Sequence, residues 1–487
     1  MATLTDRLAN WKDHLPRTVI PVIVVLLLLL AAWVLPVRIA SFGTSALFFL
    51  VGAGLLLLLG VHVWPALLVL VCYAPFAGYL RYQGFSALQS LFKDLFALGV
   101  VGLWALGALI RREKWVRSPL DLPLLLLLVL GALNVLRAPT LLRGLLACKI
   151  LFTYIPLYWL VVHYPPSRRQ LQVLLWALLI VGAAVAVYGI LQYAFGMETF
   201  RAAEGADTGL EIPTSSWRWG QVRAFSTFGH PGVFSLFLAM CLALALGLLR
   251  GASRAGRMVL GLLMVPIVLA MPLTLARTGW FALLAVILAL LVLSHSNRAR
   301  LGLLTVVALA ALAFSLGGPI VERTLDFTAS GEDVSWQERP ALLYWAARMT
   351  FVERPEGCGM GVLPDAAALA SRVTRAYEQP TTCFWHGYPL QTGETVVFSL
   401  GVQMGALGSL LYILIFVLIW KHGLRTYRAL SDSLLKGIAA GILGYVAAMT
   451  FSNFFSGSAL AYPVVDLYFW LFVGVLMSLK RIEETAG

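Results

Sequence analysis

Charge is what this sequence has least of. Only 12% of its 487 residues are Asp, Glu, Lys or Arg, about half of what a soluble globular surface carries. That excludes a string of soluble domains. Period-2 alternation is also missing from the apolar runs, which excludes a membrane β-barrel and leaves helices as the way to cross a bilayer. Internal repeats, low-complexity tracts and nucleic-acid-binding motifs are absent. No Asp-x-Asp, His-x-x-x-His or Cys-x-x-Cys stands in the segments between the later apolar runs, so neither a metal nor another cofactor is expected. The first apolar run is too long, and lacks the small-residue cleavage site, to be a removable signal peptide. Cysteines number five. Cys72, Cys148 and Cys241 sit in apolar runs as small hydrophobes, whereas Cys358 and Cys383 share one long polar segment and are candidates for a disulfide or for two free thiols.

Apolar residues make up 60% of the chain and the mean hydropathy is +0.87. A helix needs about 20 apolar residues to cross a hydrocarbon core of roughly 30 Å. Runs of that kind occupy 18–37, 44–60, 62–78, 94–110, 119–136, 145–163, 171–194, 228–249, 257–275, 279–294, 301–318, 396–420, 435–454 and 462–479. An all-α, polytopic membrane protein follows, with 12–14 spans and fourteen favoured. The net charge of +13 then becomes a question of sides. With the N-terminus in the cytoplasm, the inner loops collect Arg7, Lys12, Arg17, Arg111, Arg112, Lys114, Arg117, Arg168, Arg169, Arg250, Arg254, Arg257, Arg298, Arg300, Lys421, Arg425, Arg428, Lys436, Lys480 and Arg481. The positive-inside rule therefore predicts both termini inside. Two long segments fall outside, 195–227 and 319–395. The second is far longer than an ordinary connector, which points to a functional role. Four regions result: helices and the first outer loop over 1–227, central helices over 228–318, the large loop over 319–395, and C-terminal helices over 396–487.

The informative residues are polar ones at the outer boundary. Arg277 stands in Leu275-Ala276-Arg277-Thr278-Gly279-Trp280, a turn tight enough to hold its guanidinium near the bilayer. Arg223 precedes the run at 228, and Arg339 opens an amphipathic stretch over 340–351. Arginine suits a diphosphate, because it is always charged and its fork binds two oxygens at once. The alternatives are a snorkelling Arg277 beside Trp280 and an ion-paired Arg339 beside Glu338. Lys93 and Asp94, being adjacent, point in different directions on a helix and need not pair; with Arg143 and Lys149 they read as interfacial anchors. For a general base, His386 and Glu394 lie at the end of the large loop, Glu394 at the edge of an apolar run. Gly357-x-Gly359-x-Gly361 follows no strand and reads as a tight turn rather than a dinucleotide site.

These residues resemble the bacterial O-antigen ligase/O-antigen polymerase superfamily of membrane glycosyltransferases. The resemblance runs from about Arg223 to the C-terminus. It rests on Arg223 with Thr227-Phe228-Gly229-His230-Pro231, similar to the family's Arg…Thr-Phe-Gly-Asn-Pro. It also rests on Arg277-Thr278-Gly279-Trp280, on Arg339 at the start of the amphipathic stretch, and on the Gly357–Gly361 turn. One departure stands out. Family ligases carry a His-Asn, His-Ser or His-Gln pair nine residues before a Gly-x-x-Gly. Here Gly405-Ala406-Leu407-Gly408 places Glu394-Thr395 in that register, and His386 lies eight residues too early. The resemblance therefore favours Glu394 as base over His386, and a polymerase over a ligase.

What the resemblance implies is a GT-C-like fold in a bacterial inner membrane with its active site on the periplasmic side. The donor is a glycan on undecaprenyl diphosphate and the acceptor a glycan or lipid-linked glycan. Membrane lipid and a chain-length regulator are the implied partners. Arg223, Arg277 and Arg339 would bind the diphosphate, with no metal and no cofactor, and Glu394 or His386 would take the acceptor's proton. Ligation to lipid A-core, transfer to a protein side chain, and a lipid-linked glycan flippase are the alternatives.

Overall fold

A computed structural model describes residues 63–77, 92–195, 217–218, 221–293, 343–363, 384–385, 388–389, 395–455 and 463–486. Apart from two antiparallel ladders of two-residue strands, at 217–218 with 221–222 and at 384–385 with 388–389, the described residues are helix and turn. The helices are α1 (Val63–Tyr73), α2 (Phe92–Ile110), α3 (Asp121–Val135), α4 (Leu141–Phe152), α5 (Ile155–His163), α6 (Arg168–Phe195), α7 (Pro231–Leu248), α8 (Arg254–Leu273), α9 (Arg277–Leu293), α10 (Val396–Ala429), α11 (Ser433–Phe455) and α12 (Pro463–Ala486). Six of these, or up to seven if the bent pair α4–α5 is one span, are long and apolar enough to cross a membrane among the described residues. The protein is a helical membrane protein. The apolar runs 18–37, 44–60 and 301–318 lie outside the described residues, as does the start of 62–78.

Two units form, 1–112 and 113–487. In the first, α1 packs on α2, and Tyr73 meets Phe92 edge to face at 5.4 Å. Lys93 and Asp94 are paired there at 2.7 Å, both buried. Independent anchors were expected, but the long lysine stem bends back to the adjacent carboxylate, since a charge removed from water needs a partner.

In the second unit, α7 is the hub. Nearly all of its residues are buried, as expected of a helix that is apolar on every face. It packs on α11, α9, α8 and α6. Its approach to α11 is backbone on backbone: a Cβ on Gly247 would lie 2.4 Å from the Gly437 carbonyl oxygen, and one on Gly441 would lie 2.8 Å from the Ala243 oxygen. Small residues permit this contact, which van der Waals packing stabilises where lipid supplies no hydrophobic drive. By contrast, α8 turns Met258, Leu262, Val265 and Leu269 outward. Apolar residues on the outer face as well as the inner one are what a bilayer solvent selects.

Two apolar runs are not single straight helices. The run 145–163 is bent by 41° between α4 and α5. The run 396–420 is broken inside α10 at Gly405, whose φ of 78° and ψ of −178° belong to a region essentially reserved for glycine. Ser409 Oγ donates to the Val397 carbonyl at 2.7 Å. Twelve residues of straight helix would span about 18 Å, so 396–404 folds back on the helix that follows the break.

That break is filled by the Gly357–Gly361 turn, whose three glycines all have positive φ (81°, 100° and 78°). Cys358 N donates to Val402 O at 2.8 Å, Gly359 N to Gln403 O at 3.0 Å, and Ala406 N to Pro355 O at 2.9 Å. The backbone groups that the break frees are thereby satisfied. A Cβ on Gly405 would lie 2.3 Å from Pro355 O. The tight turn is as expected; its docking into Gly405-x-x-Gly408 joins two motifs that the sequence shows only separately. Within the amphipathic stretch 340–351, Ala346, Met349 and Thr350 form the buried face, and Met349 packs with Val362, Leu363 and Val402.

Candidate functional site

Helices of the second unit alternate in direction, so the starts of α7 and α9 and the end of α8 meet at one end of the bundle. The segment 223–230 crosses that end. Ala224 N donates to Leu273 O at 2.9 Å, and Arg223 donates through Nε to Thr274 O at 3.1 Å and through Nη2 to Leu275 O at 3.3 Å. Arg223 thus caps the terminal carbonyls of α8, where a cation is favoured by the helix dipole. Ser226 is held by its N–H to Gln192 Oε1 at 2.9 Å and by its Oγ to Val185 O at 2.6 Å. Phe225 N shares the Gln192 oxygen at 3.0 Å.

Two residues in this corner adopt left-handed backbone without being glycine: Ser226 (φ 51°) and Leu275 (φ 47°). Each such residue costs on the order of 1–3 kcal/mol, and such strain gathers at functional sites. Leu275 lies two residues before Arg277 and places it as the first residue of α9. The first turns of α7 and α9 are in contact. A Cβ on Gly279 would lie 2.4 Å from Ser235 Cβ, and one on Gly232 would lie 3.1 Å from the His230 ring and 3.6 Å from Thr278 Oγ1. Arg277, Thr278, His230 and Arg223 therefore share one corner, together with the N-termini of two membrane helices. The positive dipole ends of the two helices add to the arginine charge there.

His230 is the N-cap of α7, and its Nδ1 accepts from Gly232 N at 3.1 Å. The proton of the neutral ring is then on Nε2, which makes the side chain a hydrogen-bond donor. Burial, and then the neighbouring Arg223 charge, push its pKa down to about 4, so the ring is uncharged near neutrality. In Thr227-Phe228-Gly229-His230-Pro231 the histidine stands where the resembled motif has asparagine.

Of the expected site residues, the structure brings Arg223 and Arg277 together. Arg339, His386, Glu394 and Cys383 lie outside the described residues. Thr395, immediately after Glu394, is the N-cap of α10 and accepts from Phe398 N at 3.2 Å. Cys358 is half of a disulfide, whereas Cys72, Cys148 and Cys241 are free. Among the described residues no three His, Cys, Asp or Glu side chains gather in a way that would hold a metal.

No protein-family model matches this sequence, and neither does any curated protein.

Sequence reasoning missed the polar residues buried inside apolar runs. Ser452 and Asn453 on the last turns of α11 and Asp466 on the first turn of α12 are at the arginine end. Ser452 Oγ, Asn453 Nδ2 and Asp466 Oδ2 are buried without a hydrogen-bond partner. Phe451, beside Ser452, contacts Phe281 of α9 at 5.3 Å, one turn below Arg277. A lone Asp in the apolar run 462–479 was the available signal; averaging over the run hid it.

Proposed function

We propose that this chain is a membrane glycosyltransferase whose donor is a glycan carried on undecaprenyl diphosphate, with an O-antigen-type polymerase favoured over a ligase. The observation that carries the reading is the corner where Arg277 opens α9, beside the start of α7 and the strained Leu275. A diphosphate leaving group gathers negative charge as the glycosidic bond breaks, and preorganised donors aimed at that charge lower the barrier without a metal. Arg277 is assigned this contact. Arg223, committed to the carbonyls of α8, positions the Arg277 turn and adds charge; His230 Nε2–H is a further donor; Arg339 is the third arginine of the set.

In the reaction, an acceptor hydroxyl attacks the anomeric carbon from the face opposite the diphosphate. The new C–O bond forms as the old one breaks, the configuration inverts, and Glu394, or His386 in its place, takes the proton. Fourteen spans, both termini in the cytoplasm, and an arginine end on the periplasmic face complete the proposal. Cys383 is assigned in this proposal as the partner of Cys358, which is disulfide-bonded.

Purified protein with lipid-linked oligosaccharide tests this. A ladder of longer lipid-linked products is expected. Transfer only to added lipid A-core would make it a ligase, and donor movement across liposomes with neither product would make it a flippase. In the same assay Glu394→Gln should abolish the ladder at equal expression and His386→Ala should not; the reverse outcome moves the base to His386.

A further inference from the structure

Arg143 lies on the first turn of α4, at the same end of the bundle as Arg277 but in a different setting: α3 packs on α10, whereas α9 packs on α7 and α11. It is only 5% exposed, and its Nη1 is buried with no hydrogen-bond partner. Its main chain is wedged against the glycine turn, where a Cβ on Gly361 would lie 2.6 Å from Arg143 O. Neighbouring arginines in this corner are provided for. Arg137 and Arg354 both reach Glu356, at 3.9 and 3.6 Å, and Arg137 Nη1 also donates to the Glu356 carbonyl at 2.7 Å. Among the described residues, no carboxylate is within ion-pair distance of Arg143.

Guanidinium cannot shed its proton to escape this position. An uncompensated buried charge costs several kcal/mol, so a protein keeps one where an anion arrives to meet it. On the same glycine turn, Asn134 is also buried, at 4% exposed. Its Nδ2 donates to Leu130 O at 2.9 Å and its main-chain carbonyl accepts from Met360 N at 3.0 Å, so the turn that wedges Arg143 is also bonded to Asn134. Asn134 Oδ1 is buried without a donor. An unpartnered cationic donor and an unpartnered neutral acceptor, on two residues that hold the same turn, match neither a metal ion, which needs acceptors only, nor a bare anion, which needs donors only. It matches a glycosyl phosphate: phosphate oxygen on Arg143, sugar hydroxyl on Asn134.

We infer that Arg143 and Asn134 form a second substrate site, which takes the phosphate and adjoining sugar of the acceptor while Arg277 serves the donor. The inference rests on the proposed function and deepens it, because a polymerase must hold two lipid-diphosphate glycans at once. A phospholipid headgroup offers the same phosphate chemistry, and the test separates the two.

Native mass spectrometry of the detergent-solubilised full chain with undecaprenyl diphosphate is the experiment. Two molecules should bind the unaltered protein, one should remain in Arg143→Ala, and one in Arg277→Ala. Arg143→Lys, which keeps the charge and guards against misfolding, should retain the second molecule with affinity lowered at least tenfold. Two molecules still bound to Arg143→Ala would overturn the inference. So would excess phosphatidylglycerol displacing the Arg143-dependent molecule alone, which would assign the site to bulk lipid. A single molecule, lost only in Arg277→Ala, would refute the second site and leave the proposed function standing; no binding at all would refute the proposed function.

Discussion

The two ends of the helical bundle differ in the buried polar atoms that they leave over. At the end away from Arg277, cations meet their partners near water. Arg168 pairs with Asp432 at 2.9 Å and Lys480 with Glu483 at 2.7 Å. Glu483 Oε1 also accepts from Ser431 N, Ser431 Oγ and Asp432 N, at 2.8, 2.8 and 2.6 Å. Arg250 donates to the Tyr427 hydroxyl at 2.8 Å, and Lys436 lies over the same ring at 5.4 Å. These are self-contained arrangements of the kind that fix a helix end and its side of the membrane. At the Arg277 end, positive charge is set against helix N-termini and strained backbone, and the buried polar atoms of Ser452, Asn453, Asp466, Asn134 and Arg143 are without partners. Ion pairs near water describe an anchor; buried polar atoms without partners describe a place prepared for something else.

The comparison breaks most visibly at Arg277. Replacing it with alanine should lower polymer formation by roughly 100- to 1,000-fold, the cost of removing one preorganised donor to a developing anion. Lysine should rescue little, having lost the bidentate fork. Equal activity in Arg277→Ala and Arg168→Ala, measured as lipid-linked product per mole of protein, would erase the difference between the ends.

His230→Asn gives a finer cut. Asparagine caps a helix as well as the histidine does, so stability at neutral pH should be little changed. With histidine, the folded state binds the proton more weakly than the unfolded chain. Its contribution is present above the ordinary histidine pKa of 6.5 and declines as pH falls toward about 4, by up to roughly 3 kcal/mol. Thermal unfolding of the asparagine variant should lose that part of the pH dependence between 6.5 and 4; an unchanged profile would show that the ring titrates as it does in water.

The smallest effect is expected at the opposite end. The Lys480 ammonium, then the Asp432 N–H and the Ser431 hydroxyl, hold the Glu483 carboxyl down near a pKa of about 2. Its contribution is present above the ordinary carboxylate pKa of 4.5 and is lost as pH falls through 2. Because its Lys480 partner is 45% exposed and solvent screens the pair, Glu483→Gln should shift melting by no more than a degree or two and leave turnover intact. A large loss of turnover would mean that the two ends are coupled.

Much of the fold was legible because bilayer physics is simple. Apolar runs announce helices, and the runs 171–194, 228–249 and 257–275 match α6, α7 and α8 to within a few residues. Breaks were legible only where local chemistry marks them. Gly405 sits in a run that reads as continuous, and only the partner turn at 355–361 reveals why a glycine is required there. Arg223 and Arg277 were found because arginine at that boundary contradicts the pattern around it. The role of Arg223 as a helix cap was not, because carbonyl orientation is a property of the α8–α9 turn rather than of any residue type. Asp466 and Asn453 were passed over, and Arg143 was read as an interfacial anchor, for a related reason: what distinguishes them is buried atoms without a partner, and a sequence displays residues but not the company they keep.

The backbone stitch between Gly357 and Gly405 also changes the arithmetic of the long loop. A single excursion from 319 to 395 would be one large closed ring of chain. Fastened near its middle to the helix that follows it, it becomes two shorter rings, 319–354 and 362–395, sharing a fixed node. Closure entropy grows only with the logarithm of length, about 0.6 kcal/mol per doubling, so the gain in stability from shortening each ring is modest. The firmer consequence is positional: residues 355–359 are pinned to 402–406 by main-chain bonds alone, so the joint holds whatever side chains surround it.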